Sequence, residues 1–414
     1  MRLGSPKRWE EISFGSVVAH SAFGPRFSGD DYAEDGNVAT LRTTDLDDHG
    51  RISYESMPLA RLNEDNYANH LLKPGDLVIT RSGTCGIAAV FEGFSLPVLP
   101  GAFLIRFRLN DRADPRYFRY YFNSPFGRTN ILSVARGAVQ QNLNITNVET
   151  LRVALPPLDT QREIVATISA YDELMENNRR RMELLEESAR LLYREWFVRL
   201  RFPGHEHARL SHGIPEGWER KKLIEVCGSL EDGDWIESKD QSGEDYRLLQ
   251  ISNIGMNDFV ETENYRFISQ ETFRRLNCRE VKLGDLLISR MPTPIGRAWL
   301  VTEMPWKMVT AVDAAILTTD DTVADRYFLL HHLNSPSSIE HCERRAGGAT
   351  RPRVARRELA GIPVLLPSVA LQKEFREIVK PINEQRANLY RQNQKLRAAR
   401  DLLLPRLMSG EIAV

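Results

Sequence analysis

The residues of this chain best suited to chemistry are arginines and carboxamides gathered in short segments. Residues 344–357 hold six arginines and no acidic residue. Residues 136–144 are also polar and combine one arginine with glutamines and asparagines. A guanidinium can pair with guanine through two hydrogen bonds or grip phosphate oxygens, and a carboxamide can pair with adenine. Together the two segments favour contact with a nucleic acid, although any single arginine is better explained as a solvated side chain.

The two segments occupy matching places in a duplication that fills the chain. Lys73–Arg81 (KPGDLVITR) returns as Lys282–Arg290 (KLGDLLISR), and Arg116–Phe118 returns as Arg326–Phe328. The copies are separated by about 210 residues, so the repeated unit is a whole domain and not a short solenoid repeat. The polar segments differ between copies while the framework around them repeats. This pattern is expected if the two copies recognise different nucleotide sequences.

We therefore predict DNA-contacting residues in the polar segments and beside the repeated strands. In the first copy the candidates are Arg42, Thr44, Arg81, Ser82, Thr84, Arg136, Gln140, Gln141 and Asn142. In the second copy they are Gln250, Asn253, Arg290, Thr293, Arg297, Arg344, Arg345, Arg351 and Arg353.

Catalytic motifs are not recognisable in the sequence. It holds no GxxxxGK[ST] phosphate loop and no cysteine pair at zinc-ligand spacing. Asn123–Phe126 (NSPF) resembles a motif of amino-group methyltransferases, but the second copy has NSPS at 334–337, so we interpret both as turns. Asp234–Lys239 resembles a nuclease pattern, yet the first copy has no equivalent. The three histidines between 205 and 212 lack paired cysteines or an acidic cluster, so no metal site is predicted.

These observations favour a binding protein over an enzyme. Two alternatives stay open at this point. One is a structural adaptor that clamps two protein partners and has no role in DNA recognition. The other is an enzyme whose active site has no familiar motif.

Each copy begins with a strand-rich part. Pro74–Asp76 predicts a turn, and Leu77–Thr80 after it predicts a strand because it is apolar and partly β-branched. Pro115–Phe122 predicts a short helix with proline near its first turn. An α+β domain is therefore predicted in each copy, over residues 1–156 and 215–367.

Each copy ends with a long helix. The helices are predicted over 157–201 and, together with the C-terminal tail, over 368–414, with a linker at 202–214 between the copies. From Ile164 to Trp196 the apolar positions alternate in steps of four and three, which is the a/d seam of a coiled coil. Asn178 is a polar seam residue of the kind that fixes register.

The second seam, from Phe375 to Leu407, is weaker because polar residues occupy three of its positions. These residues are Arg386, Asn393 and Arg400. Pro381 predicts a kink or a later helix start, since proline cannot donate the backbone hydrogen bond of a helix interior.

Taken in order and twice over, these features resemble the specificity subunit of Type I restriction–modification enzymes. The motifs that carry the resemblance are Gly75–Arg81 (GDLVITR), 155–164 (LPPLDTQREI), Trp196–Phe197, 214–218 (IPEGW) and 404–412 (LPRLMSGEI). The resemblance implies two α+β target recognition domains in tandem, each followed by a long helix, with the two helices packed as an antiparallel coiled coil. It also implies recognition of a bipartite, asymmetric DNA site with a fixed gap.

The same resemblance implies the partners. They are double-stranded DNA, two methyltransferase subunits that use S-adenosylmethionine, and restriction subunits that use ATP and magnesium. For this chain itself no cofactor, metal or catalytic residue is expected. A cytoplasmic, nucleoid-associated location without a membrane segment is expected too. The composition agrees, because the net charge is −1, the four cysteines are scattered, and no run of 18 apolar residues occurs.

Overall fold

The computed structural model describes residues 9–135, 142–262 and 264–412. The predicted contact residues Arg136, Gln140 and Gln141 lie outside the described residues. Contacts divide the chain into two compact units. Unit 1 is Met1–Asn177 with Gln392–Val414, and unit 2 is Asn178–Arg391. The boundary between the units thus falls within both long helical stretches.

The secondary structure of the first copy runs to Val198. Its strands are β1 (Glu10–Ser13), β2 (Val18–Phe23), β3 (Val38–Leu41), β4 (Leu59–Ala60), β5 (Leu77–Thr80), β6 (Ala88–Val90), β7 (Val98–Pro100), β8 (Leu104–Leu109) and β9 (Arg152–Leu155). Its helices are α1 (Pro115–Asn123), α2 (Pro125–Ser133), α3 (Ile145–Glu149) and α4 (Leu158–Tyr193), which a π-helical turn extends over Arg194–Val198.

The second copy begins with a short hairpin of two strands. Its strands are β10 (Leu210–Ser211), β11 (Ile214–Pro215), β12 (Glu219–Lys222), β13 (Cys227–Asp232), β14 (Tyr246–Leu249), β15 (Phe267–Ile268), β16 (Leu286–Ser289), β17 (Ala298–Leu300), β18 (Lys307–Thr310), β19 (Ala314–Thr319) and β20 (Pro363–Leu366). Its helices are α5 (Leu223–Val226), α6 (Gln270–Arg275), α7 (Arg326–Leu333), α8 (Pro336–Arg345), α9 (Arg356–Ala360) and α10 (Val369–Met408).

Both copies build the same three sheets. In the first copy β1 pairs with β9, an antiparallel four-stranded sheet has the order β2-β8-β5-β6, and a three-stranded sheet has the order β4-β3-β7. In the second copy the corresponding sheets are β12-β20, β13-β19-β16-β17 and β15-β14-β18. In both three-stranded sheets the central strand pairs in parallel with the later strand, β7 or β18. The duplication seen in the sequence therefore extends to sheet order.

The first three residues of the repeated strand are apolar in both copies because both faces of its sheet are covered. Leu77 and Ile79 of β5 pack in one apolar cluster, and Val78 between them packs in another on the opposite face. Leu286 and Leu287 of β16 divide between two clusters in the same way.

The repeated Gly-Asp pair closes the turn before this strand. Gly75 and Gly284 have φ values of 91° and 89°, a conformation that favours glycine because a Cβ would be strained there. Asp76 and Asp285 each accept a hydrogen bond from the backbone N–H three residues earlier, at 2.8 and 2.9 Å. The motif thus specifies a turn and contributes no exposed chemistry.

The NSPF motif is structural in both copies. The Asn123 carboxamide accepts from the N–H of Ala88 at 3.0 Å and donates to its carbonyl at 2.7 Å. Asn334 makes the same pair of bonds with Ala298, at 2.8 and 2.9 Å. Each carboxamide therefore satisfies a backbone donor and acceptor on the outer edge of a sheet. This supports the interpretation of the motif as a turn.

A buried glutamine attaches each long helix to its own strand-rich domain. Gln161 of α4 accepts from the N–H of Asp114 at 2.8 Å, and Gln372 of α10 accepts from the N–H of Asp325 at 2.7 Å. Both glutamine side chains are fully buried. The start of each long helix is therefore fixed to the start of α1 or α7 by a hydrogen bond that water cannot replace.

In unit 1 the amino-terminal half of α4 packs against the carboxy-terminal half of α10. Arg400 pairs with Asp172 at 2.8 Å, and the Asn393 carboxamide donates to the carbonyl of Met175 at 3.0 Å. Residue numbers rise along α4 as they fall along α10, so the two segments are antiparallel.

Unit 2 shows the complementary pairing. Arg386 of α10 pairs with Glu186 of α4 at 2.7 Å, and the rings of Phe375 and Trp196 lie 5.9 Å apart. The polar residues that weaken the second seam thus meet polar partners on the first helix. The predicted α+β class is confirmed, including the tandem strand-rich domains and the antiparallel helix pair.

The predicted late start of the second helix is wrong. Helix α10 begins at Val369 and continues through Pro381. Phe375 and Val379 before the proline are fully buried in the core of unit 2. Their packing stabilises this part of the helix although proline removes one backbone hydrogen bond.

Two adjacent histidines of α7 make unit 2 sensitive to acid. Burial, helped by the charge of Arg386, lowers the pKa of His331 to about 3, and burial lowers the pKa of His332 to about 4. The unfolded chain binds these protons near pH 6.5, whereas the folded chain does not. Stability is therefore complete above about pH 6.5 and falls as the pH drops toward the folded pKa values.

We expect His331→Phe to reduce this acid sensitivity. The His331 ring lies 5.7 Å from that of Phe375, so an aromatic, uncharged replacement suits the site. Between pH 7 and pH 5 the variant should lose about 2 kcal/mol less unfolding free energy than the parent. Urea unfolding at both pH values measures this difference. The exposed His207 gives the control, because His207→Phe should leave the pH dependence unchanged.

Candidate nucleic-acid interface

In the first copy, three connecting segments meet where β5 ends. The backbone N–H of Arg81 donates to the carbonyl of Phe103 at 2.9 Å, and the N–H of Leu143 donates to the carbonyl of Arg81 at 2.9 Å. The loop 81–87, the turn 101–103 and residues 142–143 therefore lie together. We call these residues the first loop edge.

The second copy repeats this arrangement with the same two backbone bonds. The N–H of Arg290 donates to the carbonyl of Asp313 at 3.0 Å, and the N–H of Val354 donates to the carbonyl of Arg290 at 3.1 Å. The second loop edge consists of residues 290–297, 311–313 and 346–354. The arginine-rich segment thus lies beside the loop that follows the repeated strand.

The turns after β3 and β14 adjoin these edges. The carbonyl of Leu41 accepts from the N–H of Gly101 at 2.8 Å, and that of Leu249 accepts from the N–H of Ala311 at 3.2 Å. Arg42 and Thr44 follow the first of these strands, and Gln250 and Asn253 follow the second. The structure therefore brings the described candidates of each copy, apart from those on α8, to one edge.

The repeated arginine has a different environment in each copy. The guanidinium carbon of Arg81 lies 4.4 Å from the ring centroid of Phe23. Arg290 is buried, pairs with Asp232 at 2.6 Å and donates to the carbonyl of Val354 at 2.9 Å. Phe23 and Asp232 end the matching strands β2 and β13. The framework is shared, but the chemistry beside it is not.

Some candidates are held inside the protein. Arg297 is buried, and its guanidinium donates to the carbonyls of Ile254 at 2.6 Å and Pro292 at 2.7 Å. Asn253 is buried, accepts from the N–H of Gln250 at 2.9 Å and donates to a backbone carbonyl. Ser82 is buried as well, and Gln250 is half-buried. These side chains determine the shape of the loops.

Other candidates face solvent. The exposed ones are Arg42, Thr44, Thr84, Asn142, Thr293, Arg344, Arg345 and Arg351. Among them, Arg42 pairs with Asp45 at 2.8 Å, which orients its guanidinium. Arg353 is half-buried and is held by Asp313 at 3.2 Å and by the carbonyl of Val312 at 2.8 Å.

Sequence reasoning missed the matched positions Phe103 and Asp313. Phe103 stands in the turn before β8, and Asp313 stands in the turn before β19. The backbone carbonyl of each accepts a hydrogen bond from the N–H of the repeated arginine. The sequence contains a signal that could have identified them, because a phenylalanine in the first copy and an aspartate in the second occupy matching positions of the duplication.

The described residues offer no metal centre and no activated thiol. No group of three His, Cys, Asp or Glu side chains among them could hold a metal ion. Burial raises the pKa of all four cysteines, which keeps them protonated. Glu237 and Lys239 of the nuclease-like pattern pair with each other at 2.6 Å on the surface. None of the helices in the described ranges is both long enough and apolar enough to cross a membrane.

Fold and site together define a class of protein. Two copies of one α+β framework present different polar residues at the same loop edge, and each is attached to one of two antiparallel helices. This is a duplicated scaffold with two non-identical polar edges.

Comparison with known proteins shows which family the chain resembles. Residues 6–187 match the family model described as the Type I restriction modification DNA specificity domain. The chain is similar to the type I restriction enzyme MjaIX specificity subunit of Methanocaldococcus jannaschii, at 21% identity over 73% of this chain and 70% of that protein. It is also similar to the HindI specificity subunit of Haemophilus influenzae, at 20% identity over 68% of this chain and 73% of that protein.

A solved structure shares the fold. The Type I restriction–modification S subunit from M. genitalium matches with a TM-score of 0.59 and 17% identity, covering 98% of each chain. The chain is thus similar to Type I restriction–modification specificity subunits, and its residues 6–187 match their DNA specificity domain. The comparisons give no support to the adaptor alternative.

Proposed function

We propose that this chain recognises a bipartite, asymmetric DNA site, with one half-site for each loop edge and a gap set by the two long helices. The observation that carries the proposal is that the backbone carbonyl of the repeated arginine accepts from a residue of the variable segment in both copies, from Leu143 in the first and from Val354 in the second. A shared framework with different exposed groups suits two half-sites of different sequence. We further propose the functional division into recognition domains at 1–156 and 215–367, helices at 157–201 and 368–414, and a linker at 202–214.

Within this proposal the site residues have two roles. The exposed candidates and Arg353 contact DNA, and Arg81 does so from its position over Phe23. Ser82, Asn253, Arg290 and Arg297 hold the loops in shape because their polar atoms are buried. Phosphate contacts would fix the register of each domain, and contacts to base edges would select the sequence.

The proposed partners follow from the similarity to Type I specificity subunits. We propose that two methyltransferase subunits, which use S-adenosylmethionine, and restriction subunits, which use ATP and magnesium, assemble on this chain. A base to be methylated inside a duplex must be flipped out of the stack, so the reacting pocket belongs to the methyltransferase subunit. The complex would act in the cytoplasm, on chromosomal and incoming DNA.

Sequencing of modified bases in cells that express this chain with its methyltransferase partners tests the function. We expect a single bipartite motif whose halves differ, with a constant gap. Binding of a duplex by the assembled complex should also weaken steeply with salt, because phosphate contacts release counterions. Binding that is independent of salt and of sequence would favour the adaptor.

A substitution in the arginine-rich segment tests the assignment of half-sites. Arg351 is exposed, so Arg351→Ala should leave the fold unchanged and cost roughly 1–3 kcal/mol of binding if it contacts a base, with relaxed preference in one half-site only. Arg353→Ala should behave similarly. Competition binding against duplexes with single base changes measures this. Equal weakening on all sequences would instead assign the residue to a phosphate.

A further inference from the structure

Phe103 is an aromatic side chain at the first loop edge that the fold does not enclose. It is 57% exposed and stands in the turn between β7 and β8. The turn is closed by a bond from the N–H of Leu104 to the carbonyl of Gly101 at 2.9 Å. The carbonyl of Phe103 also accepts from the N–H of Arg81. The backbone is therefore fixed, while the ring is presented to solvent.

Exposure alone carries no weight, because single exposed apolar residues are ordinary on protein surfaces. The duplication supplies the stronger argument. Asp313 holds the equivalent position in the second copy, with the same backbone bond to the repeated arginine. The framework thus accepts an acid where the first copy has a phenyl ring. The clusters of buried apolar residues in unit 1 do not include Phe103.

The surroundings of the two positions differ in chemistry. Phe103 lies beside Arg81, whose guanidinium is over the Phe23 ring, and beside the loop that carries the exposed Thr84. Asp313 instead pairs with Arg353 at 3.2 Å. The first loop edge therefore combines an apolar ring with a cation, and the second combines an oriented arginine with a carboxylate.

We propose that Phe103 is a specificity-determining residue that packs its ring against a base of the first half-site, an inference that rests on the proposed function. Apolar side chains recognise the methyl group of thymine, and they can also wedge against a base step. The first half-site should therefore require an A·T pair at the contacted position.

The test uses the assembled methyltransferase complex and duplexes that carry its methylated motif. Phe103→Asp introduces the residue that the second copy tolerates, and Phe103→Ala removes the ring without adding charge. Both should bind the motif about tenfold more weakly, since loss of one base–aromatic contact has effects of this order. Both should also lose the preference for A·T at one position of the first half-site and keep every preference in the second.

Phe94→Ala is the matched control. Phe94 is 39% exposed, stacks on Tyr54 at 5.7 Å and lies in the loop beyond the opposite end of β6. The complex with Phe94→Ala should bind the motif as tightly as the parent complex and keep its preference for A·T. Thermal melting should show that all three variants are folded.

The outcomes separate the two proposals. If the parent complex binds motif and scrambled duplexes equally, both the proposed function and the role of Phe103 are wrong. If the parent discriminates and both Phe103 variants discriminate equally well, only the role of Phe103 is wrong. Weaker binding of every duplex alike, with the A·T preference intact, would also overturn the base contact.

Discussion

Four residues inserted into each long helix, after Asn177 and after Arg391, are expected to lengthen the gap of the methylated motif by about one or two base pairs. Four helical residues add about 6 Å, and successive base pairs are about 3.4 Å apart. These points coincide with the boundary between the compact units, so contacts inside each unit stay intact. Both half-sites should keep their sequences, because the loop edges are unchanged.

Methylation of the original motif should fall by about 100-fold or more. One half-site would be held while the other could not be reached, and simultaneous binding is then lost. Methylation sequencing of cells expressing the variant measures both effects. Four residues inserted between His212 and Gly213, in the exposed turn of the short hairpin, form the control and should leave the gap unchanged. An unchanged gap in the helix variant, with normal melting, would refute the spacer role of the helices.

Arg386→Ala is expected to lower the unfolding free energy of unit 2 by about 4 kcal/mol. The guanidinium pairs with Glu186 at 2.7 Å and donates to the carbonyl of Asn257 at 2.9 Å, and only 10% of the arginine side chain is exposed. Burial raises the pKa of Glu186 and of Asp258, and Arg386 opposes both shifts. Removing the arginine leaves two desolvated carboxylates without their cation, which is more costly than the pair itself is worth.

Denaturant unfolding of the variant and of three comparators tests this. Arg391→Ala on the same helix should cost less than about 1 kcal/mol, because its contact with Glu303 is long, at 3.8 Å, and solvated. The double variant Arg386→Met/Glu186→Leu should recover most of the loss, since apolar residues of similar size replace buried ion pairs well. Glu186→Gln should be milder than Arg386→Ala. If Arg386→Ala is no worse than Arg391→Ala, the buried pair does not stabilise the helix pairing.

The deficit of Arg386→Ala should also shrink as the pH falls from 7 toward 5. Without the guanidinium the pKa of Glu186 is raised further by burial, so the folded variant takes up a proton before the unfolded chain does. Proton binding by the folded state stabilises it relative to the unfolded state as the pH drops.

Much of the fold could be predicted because its signals are local and repeated. The strand at Leu77–Thr80 was predicted with its observed bounds from its composition and the preceding turn. The first long helix was recognisable from its seam, since the periodicity of apolar residues directly reflects helix geometry. Pro381 was a misleading signal because its effect depends on packing by distant residues, and this packing stabilises the helix around it.

The site was harder to predict because burial and pairing depend on contacts between distant residues. Arg81 and Arg290 are equivalent in sequence, but one lies over a phenyl ring and the other is buried against Asp232. Arg297 and Asn253 have the residue types of a DNA contact, yet backbone carbonyls take up their donors. Phe103 was overlooked because the run 103–107 predicts a strand, and an apolar residue of a strand is normally assigned to the core; the observed strand begins at Leu104.

The sequence by itself determined the duplication, the order of elements and the presence of two polar segments that differ between the copies. These properties depend on residue type and spacing along the chain, which are fully present before folding. Only the tertiary structure decided which polar side chains are exposed, which partner each seam arginine of α10 meets, and that Phe103 and Asp313 share one position. Those outcomes depend on sheet pairing between residues far apart in the chain, and no local pattern encodes them.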